Sequence, residues 1–320
     1  LKLALIGYGR VGRAFARLLE SKRAAYPFRI VGIHTARHGT ALNERGLSLE
    51  PEFGPPVASV EEFLERAKAE VMIELTPLNP TTGEPAISHI RAAFARRMHV
   101  ITANKGPVAH ACAALRQQAE QAGVQFRFEA AVMDGAPVFN LVRYTLPGVE
   151  ITGFSGVLNS TSTVVLEAME RGLTLEKAVR RARRMGITEA DPTLDLEGWD
   201  AAAKTAALAN ALMQAGLSPL EVARKGITGL KPERLQKLAA QGKTVRLVSR
   251  ARRQQAGWRL SVRPEVLART HPLAMARGTS NLLCLETDLM GTIGILSVSP
   301  GLAQTAYGLF SDLVAVAREA

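Results

Sequence analysis

Six residues near the N-terminus limit what this chain can fold into more than any others: Gly7-Tyr8-Gly9-Arg10-Val11-Gly12. They follow a short apolar run, Leu3 to Ile6. They open a stretch whose apolar positions Val11, Phe15, Leu18 and Leu19 recur at helical spacing. A strand that turns through glycines into a helix, with a further strand at Phe28 to Ile33, is the start of a βαβ unit. Gly7 permits the tight turn, Gly9 lets the backbone approach a pyrophosphate, and Gly12 allows close packing of the helix. The helix N-terminus, at Arg10 and Val11, supplies amides and a partial positive charge for the phosphates. A glycine turn that merely packs is the alternative, and the flanking strands weigh against it.

The expected fold class is therefore α/β, with a Rossmann-type doubly wound parallel sheet first. An NAD site usually has an acidic residue near the end of the second strand, bound to the ribose 2′-hydroxyl. This chain has His34, Thr35, Ala36 and Arg37 there. Arg37 can pair with a 2′-phosphate, so NADP is the preferred cofactor. Use of NAD as well stays open, as does an exposed arginine with no ligand. Two further strands end at Thr76-Pro77 and at Ala103-Asn104-Lys105-Gly106-Pro107. Ligands of open parallel sheets bind beyond the carboxyl ends of the strands, which makes Thr76 and Lys105 candidates. A solvent-exposed loop lysine is the other reading of Lys105. Gln125 to Glu129 is the last strand of this unit.

Composition narrows the function classes. The 320 residues carry 40 Lys and Arg against 29 Asp and Glu, a net charge of +11. Such a balance invites nucleic acid as partner, but the basic residues are scattered along helices, as in Arg180-Arg181 and Arg183-Arg184. Aromatics are only 5%, too few for a base-stacking platform, so no nucleic-acid role is expected. Cys112 and Cys284 make neither a metal-ligand spacing nor a disulfide framework, which fits a reducing compartment. No apolar run approaches the ~20 residues of a membrane span, so a soluble, cytoplasmic protein is expected.

The second half changes character. Ile151 to Leu158 reads as a strand ending in the polar turn Asn159-Ser160-Thr161-Ser162-Thr163. A helix runs from about Thr174 to Gly186, and another from about Gly198 to Ala215. Four strands follow, at Thr244–Arg250, Trp258–Val262, Asn281–Thr287 and Thr292–Val298, and the chain closes on an amphipathic helix, Thr305 to Arg318. This second, mixed α/β domain has a sheet that can also dimerise.

From the end of the first of these helices into the start of the second lie Glu189, Asp191, Asp195, Glu197 and Asp200, in a stretch broken by Pro192 and Gly198. Like charges this dense repel unless a cation, an ammonium group or lysines sit among them. Asp200 and Lys204 are four apart in a helical stretch and share a face. A solvated ion pair worth ~0.3–0.5 kcal/mol is the plainer account of those two alone. Removing hydride from an alcohol requires its hydroxyl proton to be taken as well. A lysine does this when burial or a neighbouring cation lowers its pKa. Lys105 is the candidate neighbour, and the carboxylates would hold a substrate's amino group.

These residues resemble the homoserine dehydrogenases, in the short form without a regulatory domain. The resemblance covers most of the chain: the glycine motif, Thr102-Ala103-Asn104-Lys105-Gly106-Pro107, Glu129-Ala130 with Gly135 and Pro137, and Asn159 with Thr161. It continues through Gly186–Lys204, His271-Pro272-Leu273-Ala274, Thr305-Ala306 and Ser311-Asp312-Leu313. It implies interconversion of L-homoserine and L-aspartate 4-semialdehyde, an amino-acid biosynthetic step. Lys204 would be the general acid/base and Lys105 a second essential lysine binding substrate. Glu189 would bind the substrate's ammonium group, Asp195 and Asp200 would fix substrate and Lys204, and Thr161 would line the same site. A homodimer is implied, and a sodium or potassium ion near the Glu129–Ala136 segment, with Glu129 and Val132 as candidate ligands. The last helix would return to the nucleotide-binding domain. The expected division is thus 1–137 with 301–320 for dinucleotide binding and 138–300 for catalysis and dimerisation.

Three segments depart from the family pattern. Met133 and Asp134 stand where the family has glycines. Asn159-Ser160-Thr161-Ser162-Thr163 replaces Asn-Gly-Thr-x-Asn, and Ser297-Val298-Ser299-Pro300-Gly301 replaces a glycine-rich loop. A paralogue acting on a related amino-acid carbonyl, or a silent NADP-binding sensor, are the alternatives these departures allow.

Overall fold

The computed structural model describes residues 1–188, 191–255 and 257–319. The elements are, in chain order, β1 (Lys2–Ile6), α1 (Arg10–Lys22), β2 (Arg29–Thr35), β3 (Gly39–Leu42), α2 (Val60–Ala67) and β4 (Val71–Glu74). Next come α3 (Ala86–Ala95), β5 (His99–Thr102), α4 (Lys105–Ala122), β6 (Phe126–Arg127) and α5 (Phe139–Thr145). They are followed by β7 (Ile151–Val157), α6 (Ser160–Glu170), α7 (Leu175–Arg184), α8 (Thr193–Leu196) and α9 (Trp199–Met213). The remainder is β8 (Ala223–Arg224), α10 (Pro232–Ala240), β9 (Lys243–Gln254), β10 (Gly257–Ala268), β11 (Asn281–Thr287), β12 (Thr292–Ser297) and α11 (Leu302–Glu319). Two compact units result, one of Leu1–Leu141 with Gly301–Ala320, the other of Val142–Pro300.

The first unit is built on a six-stranded sheet of order β3-β2-β1-β4-β5-β6. All neighbours are parallel except β3, which returns antiparallel from β2. Its core joins Leu3, Leu5, Ile33, Ile73 and Ile101 of the strands to Phe15 and Leu19 of α1 and to Leu309, Phe310, Leu313 and Val316 of α11. Each such side chain contributes roughly 1.5–3 kcal/mol by leaving water. Arg127, nearly inaccessible at the end of β6, is held 2.6 Å from Glu319 near the end of α11. The β2–β3 hairpin is an addition to the parallel sheet read from the residues. Thr35 Oγ1 accepts the His38 amide at 2.8 Å and Gly39 takes φ +84°, so the chain reverses instead of crossing over. Arg37 consequently stands exposed at a hairpin tip.

The second unit has a six-stranded sheet of order β12-β11-β7-β9-β10-β8, antiparallel apart from the β8–β10 pair. The register puts Leu285, Phe154, Ala251 and Leu260 side by side on one face, all buried. Helix α9 rests on that face, with the Gly198 backbone close against Val262. It can lie so close because Ala201, Ala202, Ala203, Ala206, Ala207 and Ala209 present only methyl groups. Among the described residues, no helix is long and apolar enough to cross a membrane.

Candidate active site

In the first unit, the glycine motif takes the form its residues predict. Gly7 adopts φ +99°, and a Cβ there would lie 2.7 Å from the Leu75 carbonyl oxygen, so only glycine fits. Gly9 begins α1 without a side-chain cap, and a Cβ on it would meet nothing within 4 Å. Open space thus lies beside Gly9, and the amides of Arg10, Val11 and Gly12 that follow have no helical carbonyl to bind. These features fit a dinucleotide's pyrophosphate.

Thr76 follows β4 and Lys105 follows β5, both beyond carboxyl ends of parallel strands. Lys105 does not sit in a Gly-Pro turn, as its neighbours suggest, but opens the 18-residue helix α4. Asn104 is the cap: its Oδ1 accepts the Gly106 amide at 2.9 Å. Pro107 is harmless in a first turn, where its missing N–H has no helical partner.

A residue with no place in the sequence reading underlies this corner. Glu74, at the end of β4, is completely buried. Its Oε1 accepts the Thr76 amide at 3.0 Å and the Thr76 hydroxyl, and its Oε2 accepts the Thr102 hydroxyl at 2.9 Å. Thr102 Oγ1 in turn accepts the Asn104 amide at 2.9 Å, and Asn104 Nδ2 donates to the Thr76 carbonyl at 3.1 Å. The available signal was one acid in the apolar run Val71-Met72-Ile73-Glu74-Leu75.

Glu129 is also buried, but its carboxylate is engaged by backbone. Oε1 accepts the amides of Val138 and Phe139 at 2.6 and 2.9 Å, and Oε2 that of Asn140 at 2.6 Å. Burial, and then the neighbouring Asp312, push its pKa up to about 7. Among the described residues, no three His, Cys, Asp or Glu side chains cluster as a metal site. With the Glu129 carboxylate so engaged, a monovalent cation in this segment would rest on backbone carbonyls such as that of Val132.

In the second unit, the candidate site draws together residues up to 46 positions apart. The polar turn expected at Asn159–Thr163 is instead the cap and first turn of α6, because Asn159 Oδ1 accepts the Ser162 amide at 2.8 Å. The Asn159 amide nitrogen donates to Asp195 Oδ1 at 2.6 Å and to Asp200 Oδ2 at 3.1 Å. Lys204 and Asp200 meet on one face of α9, 3.1 Å apart and 14% and 19% exposed. Lys204 Nζ also donates to the Leu158 carbonyl at 2.8 Å. Thr161 hydrogen-bonds Asp195. Burial and then Asp200 raise the Asp195 pKa, while Asn159, Thr161 and Lys204 oppose the rise. The solvated-pair account of Asp200 and Lys204 therefore fails: both are largely buried in a network.

The acidic stretch is less irregular than its proline suggests, since α8 occupies part of it. Asp191 is exposed, and its Oδ1 accepts the Thr193 amide at 3.0 Å just before α8. Glu189 lies outside the described residues.

Two of the substituted positions keep glycine-like backbone. Asp134 takes φ +52° and Ser299 φ +47°, while Met133 is buried. Gly135 remains glycine where a Cβ would lie 2.3 Å from the Gln304 carbonyl oxygen of α11.

Comparisons with known proteins agree along the chain. Residues 137–314 match the family model described as homoserine dehydrogenase, and residues 7–129 match its NAD binding domain. An NAD(+)-dependent homoserine dehydrogenase of Pseudomonas canavaninivorans is 35% identical, over 100% of this chain and 97% of its own. A homoserine dehydrogenase of Methanocaldococcus jannaschii is also 35% identical, over 98% of each. A hyperthermophilic archaeal homoserine dehydrogenase mutant, solved in complex with NADPH, superposes with a TM-score of 0.84 at 26% identity, covering 100% of this chain and 98% of its own.

Proposed function

This chain belongs to the homoserine dehydrogenase family, and we propose that it interconverts L-homoserine and L-aspartate 4-semialdehyde with NADP in preference to NAD. The observation that carries the chemistry is the largely buried Lys204–Asp200–Asn159–Asp195 network. The bound nicotinamide supplies the hydride acceptor or donor. Lys204 exchanges the proton on the substrate oxygen: as a neutral amine it takes the hydroxyl proton, and as an ammonium it returns one to the aldehyde oxygen. Its contacts with the Leu158 carbonyl at 2.8 Å and Asp200 at 3.1 Å hold the amine in place. Asp195 and Thr161 would orient the substrate and Glu189 its ammonium group, while Lys105 would bind substrate from α4. Gly7, Gly9, Arg10, Val11, Gly12 and Thr76 would hold the cofactor.

The preference for NADP rests on Arg37 at the exposed β2–β3 tip, with no carboxylate among residues 34–37. Relatives are named for either form, one for NAD(+) and one in complex with NADPH. Homodimerisation is supported by the second sheet. Its face opposite α9 carries the small row Gly294, Cys284 and Ser155, with Leu296 40% exposed beside it.

The test is kcat/KM for L-homoserine with each cofactor, in the parent and in Arg37→Ala. A parent favouring NADP, and a variant losing about tenfold with NADP alone, are expected, since a charge-assisted contact is worth ~1.5–3 kcal/mol. Equal use of both cofactors, or an equal loss with both, refutes the NADP assignment.

A further inference from the structure

We propose that Glu74 is a positioning residue, whose buried carboxylate sets the geometry of both Thr76 and the helix start that carries Lys105. This rests on the roles proposed above for Thr76 and Lys105. Glu74 lies in a central strand, with β1 on one side and β5 on the other, and none of its surface is exposed. A carboxylate there costs several kcal/mol of desolvation unless every lone pair is used, and an apolar residue of similar size would cost nothing of the kind. Local stability therefore does not account for it.

Its chemistry accounts for it better. A carboxylate only accepts hydrogen bonds, so it dictates the direction of every bond around it. The Thr102 hydroxyl donates to Oε2 at 2.9 Å, the shorter of its two contacts (the Glu74 carbonyl lies at 3.2 Å), and its oxygen is then free to accept the Asn104 amide. The Thr76 hydroxyl and amide must both point at Oε1. Asn104 closes the ring by donating to the Thr76 carbonyl at 3.1 Å and the Pro77 carbonyl at 3.3 Å, while its Oδ1 starts α4. His89 Nδ1 lies 3.9 Å from Oε1. One side chain thus orders two strand ends, and the residues after each are the candidates for cofactor and substrate.

The experiment compares Glu74→Gln, Thr102→Val and their combination with the parent enzyme. Glutamine keeps the volume but can donate as well as accept, so the ring no longer has a single orientation. Glu74→Gln is expected to lower kcat at least tenfold and raise the Kd for NADP at least fivefold. Its melting midpoint without cofactor should stay within about 2 °C of the parent. Because the ring acts as a unit, the double variant should be no worse than the worse single one. Parental constants in Glu74→Gln, a loss confined to the melting midpoint, or additive kinetic losses would each overturn the proposal. Lys105→Ala separates this from the reading beneath it. Full activity there removes the assignment of Lys105, whereas an impaired Lys105→Ala beside an unimpaired Glu74→Gln removes the inference alone.

Discussion

Asn104 and Asn159 occupy equivalent places in the two units. Each follows a strand by two residues, caps the next helix with its Oδ1, and has its Nδ2 left to donate. In the first unit that nitrogen meets the carbonyls of Thr76 and Pro77, so the amide fastens one loop to another. In the second it meets the carboxylates of Asp195 and Asp200, so the same amide holds two like charges together beside Lys204. A common local motif thus shapes backbone in one place and charge in the other. What differs is the chain brought up to it.

The largest expected effect tests the charged side of that contrast. Lys204→Ala should lower kcat on the order of 10³-fold while leaving NADP affinity nearly unchanged, as steady-state rates and cofactor titration would reveal. Near-parental turnover would remove the reason for the second cap's acidic partners. Replacing each asparagine by serine, which still caps, is the direct contest. Asn159→Ser leaves two carboxylates without their shared donor, and kcat/KM should fall on the order of 10²-fold. Asn104→Ser loses only neutral hydrogen bonds of roughly 1 kcal/mol, and a fall of less than about tenfold is expected. Equal losses would erase the distinction between the two sites.

Protonation sharpens it further. Burial and Asp200 raise Asp195, so the folded protein keeps this proton to higher pH than the unfolded chain does. The resulting stability is complete below the unfolded value of about 3.9 and is lost as pH rises through the folded value. Asp195→Asn should flatten that fall in denaturant midpoints recorded from acid to neutral pH; an unchanged slope would count against a buried acid pair. The smallest effects belong to the left-handed residues. Ser299→Gly should stabilise by at most ~1 kcal/mol. Asp134→Gly should change little, since aspartate tolerates this conformation. Thermal melts of the two variants would rank them.

The legible parts of the fold were those decided within a few residues. The strand read at Asn281–Thr287 is β11 as observed, and the pair Asp200–Lys204 is a local helical relation. Strand β9 runs longer than read, to Gln254, because the hairpin continues through Arg252 and Arg253, and β10 runs on to Ala268 because residues 263–268 pair back along Lys243–Val248. Asn104 and Asn159 looked like turn residues because Asn and Ser favour turns and helix caps alike. Glu74 went unread because a single acid in a strand says nothing of its partner until the neighbouring strand is known.

The residues alone determined where the chain must turn, where one helix face is apolar, and that a lysine and an aspartate share a side of α9. Those are properties of backbone sterics and of a 3.6-residue repeat. Tertiary structure decided which buried polar groups meet: Glu74 with Thr102, Glu129 with the start of α5, and Asn159 with Asp195 and Asp200. A buried donor or acceptor must find a partner, and across 28 or 41 residues only the packing of strands and helices selects which one it finds.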